Sequence, residues 1–111
     1  MMNEVMLGTY LYLYDILTPV ELTFSDLAKA FEEDPIKPYM LLKELVEEKT
    51  GKVKDVKLYK SYFNPSTKTA VLEYFIKVEE GTLGVKIVHA EKPSKALMEY
   101  HKAERSESNF R

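Results

Sequence analysis

Apolar positions in the first half of the chain keep a helical period, and those in the second half keep a strand period. In "ELTFSDLAKAFEEDP", Phe24, Leu27, Ala28 and Phe31 form an i, i+3, i+4, i+7 stripe. Thr23 precedes the stripe as an N-cap, Asp26 stands at N3 to complete a capping box, and Leu22 and Leu27 have the spacing of a hydrophobic staple. Pro35 pushes Asp34 out of helical geometry, so the pattern predicts a helix over Phe24–Glu33. Pro38 then opens a second helix, "PYMLLKELVEEKTG", with Leu41/Leu42, Leu45 and Val46 inward and Gly51 as C-cap. Two short helices joined by a tight turn make a helix-turn-helix candidate.

From Lys52 the residues become β-branched and aromatic. "VKLYKSYF" and "TAVLEYFIKV" flank the turn formers "NPSTK", which predicts an antiparallel hairpin with its tip at 62–69. In the second arm Leu72, Tyr74, Ile76 and Val78 share a face opposite Glu73 and Lys77. "TLGVKIVHA" reads as a third strand, and Ser94 can cap a C-terminal helix with Leu97, Tyr100, His101 and Glu104 on one face. The opening "TYLYLYDIL" admits two readings. As a strand, Tyr10, Tyr12 and Tyr14 alternate with Leu11 and Leu13 over only five residues. As a helix, Leu7, Tyr10, Leu11, Tyr14 and Leu17 keep one stripe up to Thr18–Pro19, and this longer match favours helix.

Composition narrows the class. A chain of 111 residues, 45% hydrophobic and 31% charged, suits one folded domain, here expected over 1–105 with a flexible polar tail at 106–111. Cysteine is absent, so disulfides and thiolate metal sites are excluded. There is no run long and apolar enough to span a membrane, and the first residues lack a signal peptide's basic and small-residue marks, so the default expectation is a cytoplasmic protein. The Lys/Glu-rich, Trp-free and Cys-free composition matches a thermophile pattern and suits a small accessory protein of an archaeon or of its virus or plasmid.

Net charge is −2, but it is unevenly spread. Residues 1–36 carry seven acids and one lysine (net −6), residues 37–77 nine lysines and five acids (net +4), and the remainder is balanced. A basic middle third points to an anionic partner for that segment.

With "YLYDIL", "LTFSDLAKAF", "YMLLKELVEE" and the hairpin around "NPSTK" in this order, residues 7–79 resemble the winged helix-turn-helix family of DNA-binding regulators. The resemblance implies an α+β fold of three N-terminal helices, an antiparallel hairpin plus an extra strand, and a C-terminal helix. It also implies a recognition helix over 38–50 and a wing at the 62–69 hairpin tip. Lys37, Tyr39, Met40 and Lys43 would then meet double-stranded DNA from the helix, with Lys60 on the strand and Asn64, Ser66, Thr67 and Lys68 at the wing. No arginine occurs before position 105, so guanine readout would fall to lysine. Regulators of this family often dimerise through terminal helices. Tyr10, Tyr12, Tyr14, Leu97 and Tyr100 are the matching candidates for a homodimer interface, since tyrosine is favoured where one end is apolar and the other wet.

An enzyme is not expected. No Gly-rich phosphate loop or carboxylate pair in an apolar context is present, and His89 and His101 lack metal-ligand spacing, so neither a metal nor a cofactor is expected. The competing reading is a protein-interaction adaptor on the same scaffold, using the hairpin edge or the tyrosine surface.

Overall fold

Alternation, not helical periodicity, governs the start of the chain. A computed structural model describes residues 8–109, with side chains placed through residue 102. β1 (Gly8–Leu13) and β2 (Ile16–Val20) form an antiparallel hairpin. Thr9, Leu11 and Leu13 are buried on one side of β1, while Tyr10 and Tyr12 lie half-buried on the other. Tyr14 and Asp15 make the two-residue turn with φ of 54° and 63°, the positive-φ pair of a type I′ turn, whose twist matches that of the strands. The helix expected from Leu7 to Leu17 is corrected to this hairpin, because five alternating residues suffice once a tight turn brings a partner strand alongside. Leu7 itself lies outside the described residues.

α1 (Phe24–Glu33) has the bounds expected from the sequence. Thr23 Oγ1 accepts the Asp26 N–H at 3.1 Å, and Asp34 ends the helix in an extended conformation. The single helix expected over 38–50 is instead two, α2 (Lys37–Met40) and α3 (Lys43–Thr50). At the break Leu42 donates its N–H to the Tyr39 carbonyl at 2.9 Å and takes φ −112° and ψ 9°. Tyr39 and Val46 both enter the core from either side of this turn, and Met40 and Leu41 are left exposed. Gly51, with φ 85°, closes α3 by donating to the Glu47 carbonyl at 2.8 Å.

β3 (Val53–Asn64), β4 (Thr69–Val78) and β5 (Gly81–Ala90) follow, then α4 (Pro93–Asn109). The helix continues to Asn109, through most of the stretch expected to fray; Phe110 and Arg111 lie outside the described residues. All strands join one antiparallel sheet in the order β2-β1-β5-β4-β3. β1 pairs with β5 through Leu11 opposite Ile87, so the N-terminal segment extends the sheet rather than heading a helical bundle. The winged helix-turn-helix arrangement is thereby corrected. The structure is a five-stranded antiparallel sheet with short helices on both faces, not three helices followed by a wing.

One face of the sheet packs against α1, α2 and α3, with Leu11, Leu72, Tyr74, Ile76, Val85 and Ile87 meeting Leu27, Tyr39 and Val46. On the opposite face α4 lays Ala96, Leu97 and Tyr100 on Val71, Val88 and Ala90, flanked by Tyr12 and Tyr62. This second cover is partial. β4 is buried on both faces from Thr69 to Leu72, then alternates, and leaves Phe75 and Lys77 exposed. β5 shows the same change, exposed at Gly81, Thr82 and Gly84 and buried from Ile87 to Ala90. Half of the α4 face is therefore open.

Candidate functional site

The strand register fixes what the open half displays. Phe75 stands between Gly84 on β5 and Lys57 on β3, Lys77 between Thr82 and Asp55, and Glu73 between Lys86 and Lys60. A register shift between Leu58 and Lys60 marks a bulge at Tyr59. The Tyr59 ring lies against that of Phe75, with centroids 4.6 Å apart and planes at 32°. The two rings are 54% and 39% exposed, which makes them the largest apolar surface on this part of the sheet. Their neighbours Lys57 and Lys77 are exposed, while Lys60 and Lys86 are half-buried beside them.

The border with α4 is polar. The Tyr100 hydroxyl donates to Glu73 Oε1 at 2.6 Å, and Glu73 Oε2 lies 3.8 Å from Lys86 Nζ. Lys86 in turn stands 5.3 Å over the Tyr12 ring, and the Tyr12 hydroxyl donates to Asp15. The Asp15 hydrogen bond, and secondarily burial, raise the Tyr12 pKa and keep that phenol neutral. Two acids stand among the paired positions Lys57, Lys60, Lys77 and Lys86: Glu73, which Lys86 offsets, and the exposed Asp55 opposite Lys77.

The residues singled out from the sequence for duplex contact are dispersed by the fold. Lys37 is bound to Glu33 at 2.6 Å on the helical face, an exposed pair that lowers the Glu33 pKa chiefly through the hydrogen bond. Tyr39 is fully buried against Tyr74, and burial, reinforced by Glu47, raises its pKa to about 12. Met40 and Lys43 line a groove of about 250 Å³ with Ile36, Val53 and Val56. Lys60 is on the α4 face, so the sheet separates it from Lys37 and Lys43. At the tip, Asn64 Oδ1 accepts the Ser66 N–H at 3.1 Å and the Thr67 hydroxyl donates to Thr69 at 3.0 Å. These side chains hold their own turn, which ends at Lys68 with φ 52°.

The tyrosines proposed for a dimer interface divide similarly. Tyr100 is buried on the sheet of its own chain, Leu97 and Tyr12 pack beside it, Tyr10 is half-buried, and Tyr14 is exposed at the β1–β2 turn. The first and last elements thus meet within one chain. His89 is buried on the α1 side and His101 is exposed on α4, and among the described residues no three carboxylate or imidazole groups gather as a metal site.

Sequence reasoning passed over Tyr59, Phe75, Gly84 and Glu73. A signal was present: the β4 alternation already placed Phe75 on the polar face with Glu73 and Lys77, and a phenylalanine on such a face is what a strand core does not need. Comparison of the chain with known protein families, curated proteins and solved structures finds no match. No helix among the described residues is long and apolar enough to cross a membrane.

Proposed function

We propose that the protein binds single-stranded nucleic acid on the open half of its sheet. The observation that carries this reading is the exposed Tyr59–Phe75 ring pair set among lysines on the surface of the edge strand β3 and its neighbour β4. A single strand alternates flat apolar bases with phosphates, and a platform that alternates aromatic rings with ammonium groups complements both parts. A second copy of the chain is a poorer partner for this face, because it would set against itself a surface on which four lysines, Lys57, Lys60, Lys77 and Lys86, outnumber Asp55 and Glu73. Duplex binding is less suited to the geometry, since the helix expected to enter a groove is broken at Leu42 and its tyrosine is in the core.

A labelled single-stranded oligonucleotide should bind in a fluorescence-anisotropy titration at low salt. Tyr59→Ala and Phe75→Ala should each weaken binding by about 1–3 kcal/mol, roughly 5- to 150-fold, with far-UV circular dichroism unchanged. Absence of binding by the folded wild type, or wild-type affinity in both variants, overturns the reading. One observation favours a second reading, a protein adaptor: the exposed Met40 and Leu41 stand beside the groove between α2, α3 and β3. A Met40→Asp variant that loses a protein partner while retaining oligonucleotide binding would support it.

A further inference from the structure

Gly84 leaves a place beside Phe75 that no side chain among the described residues fills. It is the cross-strand neighbour of Phe75 on β5, and Tyr59 covers the ring from the β3 side. A Cβ built on Gly84 would meet Glu73 Oε2 at 3.8 Å and Phe75 Cε1 at 3.9 Å, ordinary contact distances. The place over Gly84 is therefore walled by an aromatic ring and bordered by a carboxylate oxygen. Among the described residues that oxygen retains accepting capacity: the Tyr100 hydrogen bond goes to Oε1, and Lys86 at 3.8 Å from Oε2 is at ion-pair but not hydrogen-bond distance.

We infer that this place takes one base carrying an exocyclic amino group, and that Glu73 is the residue that selects it. The inference rests on the single-strand reading of the same surface and adds a base preference to it. Over Gly84 a base extends the Tyr59–Phe75 stack, and its edge meets Glu73 Oε2. Cytosine presents an N4 amino donor to that oxygen, whereas uracil presents the O4 carbonyl at the same position, oxygen against oxygen. Tyr100 holds the carboxylate from the α4 side, so Oε2 is oriented before the strand arrives.

The test compares ten-nucleotide oligocytidine and oligouridine, which differ at this edge and share a backbone. The wild type should bind oligocytidine roughly tenfold more tightly, the scale of one hydrogen bond to a charged group. Glu73→Gln, whose amide both donates and accepts, should bring the two affinities within about twofold. Gly84→Val should weaken oligocytidine binding about tenfold without lowering thermal stability, because nothing crowds its Cβ and β-branched residues suit strands. Equal wild-type affinities for the two oligomers, or a preference that survives Glu73→Gln, overturn this inference and leave the platform standing. Failure of both oligomers to bind overturns the platform as well.

Discussion

Thr9, Leu22 and His89 form a buried contact whose proton positions follow from valence. The Thr9 hydroxyl has one proton and donates it to the Leu22 carbonyl. At its 2.6 Å contact with His89 Nδ1 it can then only accept, so Nδ1 carries the hydrogen and Nε2 is a bare lone pair. That Nε2 is buried without a partner among the described residues, next to the Phe24 ring. Burial, with Lys68 adding to it, lowers the His89 pKa below its ordinary 6.5. The unfolded chain therefore binds the proton more readily, and the stability this group contributes is complete above pH 6.5 and lost as pH falls below it. The urea midpoint should drop between pH 7.5 and pH 5, and His89→Phe should flatten that drop; an equal drop in both proteins would count against it. Two core tyrosines give a contrasting pair. Tyr74 donates to the Pro35 carbonyl at 2.7 Å, whereas the buried Tyr39 hydroxyl has no partner among the described residues. Tyr74→Phe should cost about 1 kcal/mol, and Tyr39→Phe should be neutral or stabilising, both read by denaturant unfolding.

Among elements, the β1–β2 hairpin is the most informative. Its turn uses Tyr14 and Asp15, two residues with side chains, in a conformation that glycine and asparagine adopt at lower cost. Tyr14 is 61% exposed, so its ring contributes little packing to offset that strain. Tyr14→Asn should stabilise the protein by roughly 0.5–1 kcal/mol in urea unfolding; a loss would show that the tyrosine makes contacts worth more than its φ costs. The same turn explains why the sequence misleads here. A Tyr-Asp type I′ turn has none of the usual Asn-Gly signal, and alternating tyrosines and leucines satisfy a helical stripe by coincidence. α1 was legible because its cap, staple and terminating proline all agree, as were the β3–β4 turn and β5, whose boundaries are marked by turn residues. The break at Leu42 was not, since no glycine or proline marks it and the apolar residues on both sides fit one continuous helix. The site was half legible: alternation places Phe75 outward, but only the register reveals that Tyr59, Gly84 and Glu73 surround it.

For the whole molecule, the question is whether charge placement or total charge governs binding. The chain is net −2, so attraction of an anionic strand must come from local lysines and not from an overall positive field. Lys57 and Lys77 make no ion pair among the described residues and flank the ring pair, whereas Lys43 lies on the helical face and Lys68 at the far end of β4. Nine residues along a strand separate Lys68 from Lys77, roughly 30 Å. The double variants Lys57→Glu/Lys77→Glu and Lys43→Glu/Lys68→Glu change net charge equally, so a difference between them reports position alone. The first should abolish oligonucleotide binding, and the second should retain affinity within a few-fold. Two neutralised phosphates on a single strand give a salt dependence of about −1.4 in log K against log salt, shallow enough for ring stacking to hold the complex at moderate salt. Equal losses in the two variants would mean that diffuse repulsion, not a lysine-framed aromatic platform, controls the interaction.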